Sequence, residues 1–370
     1  MGKSRNISQV LNDQGLIEAA DLAPGVGTPE QGFNFRNRII NGDMKIDQRN
    51  AGAAVTVNGA APYTVDRWFA EDVTDGVFTV QQDSSAPTGF NFSAKITITT
   101  ADASLAAGQY AVFTQRIEGF NTADLMWGTA NAKTVTLSFW VRSSLTGTFG
   151  GVLANSAENY SYPFTYSISA ANTWEQKSVT VTGPTAGTWI GATNGKGMIV
   201  TFALGSGSTY VGTAGAWAAA DYRGGATGQT SVIGTLSATW YVTGVQLEVG
   251  SVATPFERRP YGAELELCRR YLQVFQGGSG SASSSTAWET IQQANPPFRA
   301  TPALSLSGVA AIEDHAVTLY TQSSANVSLG TATALAFKYG LGNFSGLTNS
   351  RYYSLGLAIN GNKLFAAAEL

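Results

Sequence analysis

The chain of 370 residues holds one cysteine and one histidine. Cys268 has no second cysteine to pair with, so packing and assembly, not cross-links, must hold the fold. Common zinc sites draw on several His and Cys at once, and a nucleophile–His relay needs a placed His. With only Cys268 and His315 available, most metal and triad chemistry is excluded, and no cofactor is expected. Charge is scarce as well: 13% of residues are Asp, Glu, Lys or Arg, against a usual ~25%. The net charge is −3 and no long basic run exists, so the electrostatic footprint of nucleic-acid binding is missing. No apolar run reaches the roughly 18 residues of a membrane span. The opening MGKSRNISQVLNDQG lacks the apolar centre of a signal peptide, and Asn6 does not complete a myristoylation pattern.

What the chain does have is 44% hydrophobic residues and 42 glycines. Abundant Gly, Ser and Thr with little charge suits many short strands and tight turns. Alternating segments recur at 78–81, 95–99, 110–116, 134–141, 174–181, 197–204 and 239–247. Strands at this spacing with Gly and Asn turns predict an antiparallel jelly-roll β-sandwich. In the central one, Val135, Leu137, Phe139 and Val141 share one face, which must be core. Thr136, Ser138, Trp140 and Arg142 share the other, a candidate sugar-stacking face. The stretch 205–230 is a Gly-rich insertion carrying Tyr210, Trp217 and Tyr222, expected to fold over a neighbouring surface, that of a second subunit included. Helical spacing over 263–276 predicts a connecting helix with Leu265, Cys268, Tyr271 and Leu272 on one stripe. GGSGSASSS at 277–285 reads as a flexible linker. Further strand-like segments follow at 287–293, 303–307, 316–321, 333–338 and 351–358. The expected organisation is an N-terminal arm (1–34), the sandwich (35–262), the helix (263–276) and a smaller C-terminal β domain (277–370).

Several separated segments carry a resemblance. NRIINGD at 37–43, Asp66-Arg67-Trp68, LSFWVRSS at 137–144, WYVTGVQLEVG at 240–250 and ATPFERRPYGAELELCRRYLQ at 253–273 occur in this order. Together they resemble a family of bacteriophage tail-fibre and receptor-binding proteins built on a carbohydrate-binding-module-like jelly roll. The resemblance covers roughly residues 35–275. It implies a virion structural and adhesion protein that binds a host-surface glycan or protein, assembles as a homotrimer and meets other virion proteins through residues 1–34. A head fibre or capsid-decorating protein is the alternative within the virion. A carbohydrate-binding module of a secreted enzyme is the alternative outside it.

An enzyme is not expected. Paired carboxylates are the open catalytic class, and the candidates are Asp66, Glu71, Asp72, Glu118, Asp124, Glu175, Glu313 and Asp314. None sits in a motif that gives it a role, and neither Glu71-Asp72 nor Glu313-Asp314 shares a face on a strand. Asp66 and Arg67 are expected to pair at a strand end while Trp68 enters the core. Asp43 is a weak calcium candidate, set against an Asx turn made by Asn41 and Asp43. Glu257-Arg258-Arg259 and Arg269-Arg270 read as seam contacts, Cys268 as a small buried residue and His315 as a surface group. For receptor or glycan binding the candidates are Phe344, Tyr352, Tyr339, Trp140 and Trp217. Phe344, flanked by Gly342, Asn343, Ser345 and Gly346, is the expected loop-tip aromatic. Tyr352 and Tyr353 must point opposite ways on a strand.

Overall fold

The computed structural model describes residues 36–275, 277–313, 319–355 and 362–370. The arm at 1–34, Asp314 and His315 lie outside them. The fold is mainly β, with antiparallel sheets, as the alternation predicts. Chain contacts divide it into two compact units. The first takes in Thr56–Pro62 and Ala70–Arg258 together with the chain up to Lys45. The second is Ile46–Val55, Tyr63–Phe69 and Arg259–Leu370. Two short segments inside the expected 35–262 sandwich therefore belong to the second unit.

The first eleven strands are β1 Val55–Val57, β2 Trp68–Asp72, β3 Val77–Asp83, β4 Ser93–Thr100, β5 Tyr110–Glu118, β6 Val135–Ser143, β7 Gly147–Asn155, β8 Ser161–Ile168, β9 Glu175–Val181, β10 Lys196–Ser206 and β11 Thr239–Val249. They form a six-stranded sheet, β1-β3-β4-β11-β6-β9, and a five-stranded sheet, β2-β5-β10-β7-β8. Val135, Leu137, Phe139 and Val141 are fully buried, as their alternation requires. Phe139 meets Phe202 of the five-stranded sheet edge-on at 4.9 Å, and Trp240 meets Phe113 at 6.3 Å. These pairs make the layer between the sheets.

The NRIINGD segment explains itself structurally. The Asn37 amide donates to the Val245 carbonyl (3.0 Å), and its oxygen accepts from Ile39 N–H (2.9 Å) and Leu247 N–H (3.1 Å). Ile40 exchanges two hydrogen bonds with the Gln115 amide, at 2.9 and 2.8 Å. One short segment thus ties β11 of one sheet to β5 of the other. Gly42 lies against the Val245 carbonyl so closely that a Cβ would collide with it. A side-chain turn falls at Asn37. Asp43 pairs with Lys45 at 3.2 Å.

The face of β6 proposed for sugar stacking is largely covered. Thr136 donates to the Gly250 carbonyl (2.8 Å), Ser138 is buried, and Arg142 reaches the Ser85 hydroxyl (2.9 Å). The Gln246 and Glu248 side chains beside them are bonded to Thr254. Segments around 85–92 and 250–258 cross this face because Thr243, Gln246 and Glu248 of β11 need partners once buried. Trp140 is left half-buried, beside Gly244 and Phe90.

The second unit holds the helix α1 Tyr261–Arg269 and ten strands: β12 Leu272–Phe275, β13 Gly278–Ala282, β14 Trp288–Gln293, β15 Ala303–Leu306, β16 Ala311–Glu313, β17 Leu319–Thr321, β18 Val327–Ala332, β19 Ala336–Leu341, β20 Tyr352–Leu355 and β21 Leu364–Ala367. They form a three-stranded sheet, β12-β21-β15, and a seven-stranded sheet, β17-β16-β20-β13-β14-β19-β18. The helix is shorter than the 263–276 expected. Beyond Arg269 the residues Leu272–Phe275 pair with Leu364–Ala367 as a strand, because burial on a sheet outweighs helical spacing for so short a run. The expected linker at 277–285 is also corrected, since Gly278–Ala282 is an interior strand of the seven-stranded sheet. Gly280 permits this: the Trp288 indole lies over its backbone where a Cβ would stand.

Asp66 and Arg67 both find partners elsewhere in the same unit. Buried Arg67 forms an ion pair with Glu369 and lies over the Tyr271 ring, 3.5 Å from its centroid. Glu369 also receives Arg49 at 3.0 Å. Asp66 accepts from the Gln48 backbone N–H (3.0 Å) and side-chain amide (2.6 Å). Trp68 is fully buried, as expected. Cys268 is buried, and that burial, with Asp66 and Glu264 nearby, pushes its thiol well up. It behaves as a small apolar residue.

Candidate functional site

The strand pairing brings three connections to one end of the sandwich. Glu118 of β5 faces Lys196 of β10, Asn155 of β7 faces Met198, Ala154 faces Ser161 of β8, and Val135 of β6 faces Val181 of β9. The loops that leave these positions, at 119–134, 156–160 and 182–195, share that end. The insertion folds over its own sandwich, and its Trp217 reaches this end. Ser161 and Ala218 exchange backbone hydrogen bonds (3.0 and 2.9 Å). Arg223 of the insertion pairs with Asp221 (2.6 Å) and with Glu158 (2.9 Å), which also holds Lys196 (2.6 Å). Arg223 further lies over the rings of Tyr110 and Tyr210.

Five aromatic residues converge there. Trp217 stacks on Tyr160 with ring planes 9° apart at 5.6 Å, and contacts Tyr162 at 5.3 Å. It meets Trp127 at 5.3 Å and Trp189 at 5.9 Å, both edge-on, and Trp127 meets Trp189 at 4.9 Å. The arrangement is that of a quadrupole-matched cluster, in which ring edges meet ring faces. Each indole N–H is already committed: Trp127 to the Lys133 carbonyl (2.7 Å), Trp217 to Thr182 (2.8 Å) and Trp189 to Ala186 (3.3 Å). What the exposed rings have left to offer a ligand is therefore their carbon surface. Trp127 is buried, while Trp189, Trp217, Tyr160 and Tyr162 are half-buried. Gly128 and Gly187, both in the left-handed region, let the two loops pass Trp189 where side chains would collide.

Beside this cluster lies a hollow of about 390 Å³, lined by Thr122, Met126, Trp127, Thr129, Asn131, Trp189, Ile190 and Met198 among others. That size lies within the usual ~300–1,000 Å³ of ligand pockets. No charged side chain lines it. The wall offers indole carbon, methionine and isoleucine, with Thr and Asn for hydrogen bonds. Such a surface suits a neutral ligand with both apolar C–H faces and hydroxyls.

Of the residues named from sequence, Trp217 belongs to this cluster. Its partners Trp127 and Trp189 were missed. The available signal was a Trp within two residues of Gly in two connections, MWGTANA and TWIGATNG; that the two meet depends on strand order. Phe344 and Tyr339 are corrected. Phe344 is 4% exposed and Tyr339 is fully buried, both in the core of the second unit. A small β unit needs its few large aromatics inside, and burial pushes the Tyr339 phenol up. Tyr352 is 68% exposed and Tyr353 buried, on opposite faces of β20.

The acids named from sequence are spread out. Glu71 accepts from the Tyr110 hydroxyl (2.6 Å), and Asp72 from Thr74 (2.7 Å). Asp124 pairs with Arg38 (2.5 Å) and Glu175 with Lys177 (2.6 Å). Glu118 is buried at the end of β5, and Glu313 ends β16. Among the described residues no three His, Cys, Asp or Glu side chains gather as a metal group. Among them also, no helix is long and apolar enough to cross a membrane.

No family model matches the sequence, and no curated protein matches it. Solved structures do show likeness in outline. The enzymatically active domain of tailspike protein 4 from bacteriophage CBA120 aligns at 12% identity and TM-score 0.30, over 58% of this chain and 22% of that one. A family 11 carbohydrate-binding module of a Clostridium thermocellum cellulosomal cellulase aligns at 11% identity and TM-score 0.28, over 54% and 97%. The module TmCBM61, solved with β-1,4-galactotriose, aligns at 8% identity and TM-score 0.28, over 58% and 99%.

Proposed function

We propose that this chain is a virion adhesion protein, a phage tail-fibre or tail-tip component that binds a host-surface glycan. The sugar site is the hollow at the end of the sandwich. One observation carries the reading: an uncharged pocket walled by Trp127 and Trp189, whose indole N–H groups are already bonded inside the protein. A sugar presents polarised C–H groups on one ring face and hydroxyls around its rim. The negative face of an indole attracts the first, and Thr129 and Asn131 can bond the second. The virion role is supported by the ordered sequence segments that resemble phage fibre proteins. The same resemblance supports a homotrimer docked to other virion proteins through residues 1–34. Three copies would turn weak single-site contacts into firm attachment.

The test is Trp189→Ala, because Trp189 is half-buried and its loss leaves the core intact. Adsorption of the purified full chain to host cells, and retention on immobilised host polysaccharide, should each fall at least tenfold while the circular dichroism spectrum is unchanged. Undiminished retention would remove this pocket from glycan binding.

A further inference from the structure

The outer face of the seven-stranded sheet presents an unusual set of side chains. Register places Glu313 beside Ser354, and Ser354 beside Ser279, in one row across β16, β20 and β13. Neighbouring strands lie ~4.8 Å apart, so the row spans about 10 Å. Tyr352 is two residues along β20 on the same face, ~7 Å away, opposite Ser281. Tyr353, between them, points inward, where it is buried and meets Tyr320 at 5.5 Å. These residues enclose a hollow of about 190 Å³. At ~30 Å³ per water it holds about six waters, the scale of one sugar ring.

Among the described residues, the neighbours of the Tyr352 ring on this face are small. Ser281, Ser279 and Ser354 leave its side open, and 68% of it reaches solvent. The Glu313 carboxylate and the hydroxyls of Ser279 and Ser354 make no hydrogen bond to other described residues. A large exposed aromatic next to uncommitted acceptors and hydroxyls, in the middle of a sheet rather than at its edge, is not what packing alone requires.

We infer that this face is a second sugar site, separate from the sandwich pocket, and that it takes a neutral pyranose. Tyr352 stacks on the C–H face of the ring. Glu313 accepts from two adjacent hydroxyls, a geometry a carboxylate matches with its two oxygens. Ser354 and Ser279 bond the hydroxyls that follow along the row. The negative charge of Glu313 disfavours acidic sugars, whereas the sandwich pocket has no charge with which to discriminate. A second copy of the chain or a peptide is a poorer match, because the exposed apolar side chains of this row, Leu319 and Ile291, stand at its two ends with Glu313, Ser354 and Ser279 between them.

The experiment uses the full chain and saturation-transfer NMR with methyl β-D-galactopyranoside, methyl β-D-glucopyranoside, methyl α-D-mannopyranoside and N-acetylneuraminic acid. Comparing wild type with Trp189→Ala reads the sandwich pocket alone. Comparing Trp189→Ala with Trp189→Ala/Tyr352→Ala reads the sheet face alone. At least one neutral glycoside should still bind the Trp189→Ala protein. Adding Tyr352→Ala should weaken it at least tenfold, adding Glu313→Gln severalfold, and N-acetylneuraminic acid should give no signal from this face. If no neutral glycoside binds the Trp189→Ala protein, or if binding survives both added substitutions, the sheet-face site is wrong. A wild type that matches Trp189→Ala in every arm overturns the sandwich pocket instead.

Discussion

In the sandwich, the clasp that ties residues 37–43 to both sheets runs through neutral amides: Asn37 to β11 and Gln115 to Ile40. In the second unit, residues 302 apart in sequence are closed by a full ion pair, Arg67 with Glu369, buried and backed by Tyr271. Asp66 is buried in the same unit and accepts two hydrogen bonds from Gln48. A neutral hydrogen bond contributes about 1 kcal/mol net, and its loss is local. A buried charge deprived of its partner is far more costly. The first unit should therefore be sensitive to shape at its clasp, and the second to charge and to pH.

The largest effect should follow from breaking the ion pair. Arg67→Ala leaves Glu369 buried with Arg49 as its remaining cation, and should destabilise the second unit by about 3–5 kcal/mol. Hydrogen exchange read separately on peptides from β19 and β6 tests this. Protection should be lost in β19 before β6, and equal loss in both would break the comparison.

The next effect is that of pH. Burial, with Gln48 hydrogen bonds working against it, raises the Asp66 carboxyl from 3.8 to about 6. Burial likewise raises Asp47. Between the ordinary and the raised value the folded unit holds a proton that the unfolded chain has released. Its stability therefore increases as pH falls from about 7 towards 4, and is lost as pH rises through about 6. The shift corresponds to at most ~3 kcal/mol. In the sandwich the sign is opposite. Burial raises the Asp124 carboxyl, but the two bonds from Arg38 outweigh it and hold it low; Lys177 holds Glu175 low. Their contribution is present at neutral pH and is lost as pH falls through the carboxylate range. Melting followed at pH 7.5, 6 and 5 should show the second unit gaining on the sandwich, and Asp66→Asn should flatten that trend. A second unit that weakens steadily on acidification would contradict the assignment.

The smallest effect sharpens the sandwich side. Gly42→Ala drives a methyl into the Val245 carbonyl and should cost about 1–3 kcal/mol. Denaturant midpoints should shift with no change in slope, and the loss should be the same at pH 5 and 7.5. A loss that depends on pH would mean that Asp43 and Lys45, not the backbone clash, dominate this turn.

Much of the fold was legible because strand alternation is a local signal. Val135, Leu137, Phe139 and Val141 declared a buried face, and the register confirms it. The places that misled were those where a distant residue supplies the reason for local structure. GGSGSASSS has the composition of a linker, yet Gly280 is interior strand because Trp288, eight residues later, lies on it. Phe344 has the flanks of a loop tip, yet it is buried because a small unit has few aromatics to fill its core. Of the aromatic pocket, Trp217 stood out by sitting in a long insertion. Trp127 and Trp189 did not, because each is an ordinary loop residue until β5, β6, β9 and β10 bring their loops to one end.

The sequence by itself determined the β architecture, the buried strand faces and the exclusion of most histidine and cysteine chemistry, since each depends on residue type and short spacing. Only the tertiary structure decided which aromatics are exposed, that Arg67 pairs with Glu369, and that Glu313, Ser354, Ser279 and Tyr352 share one face. Those outcomes depend on which strands pair and in what register, and pairing is a property of the whole chain because each strand finds its partner by burying surface with residues far away in sequence.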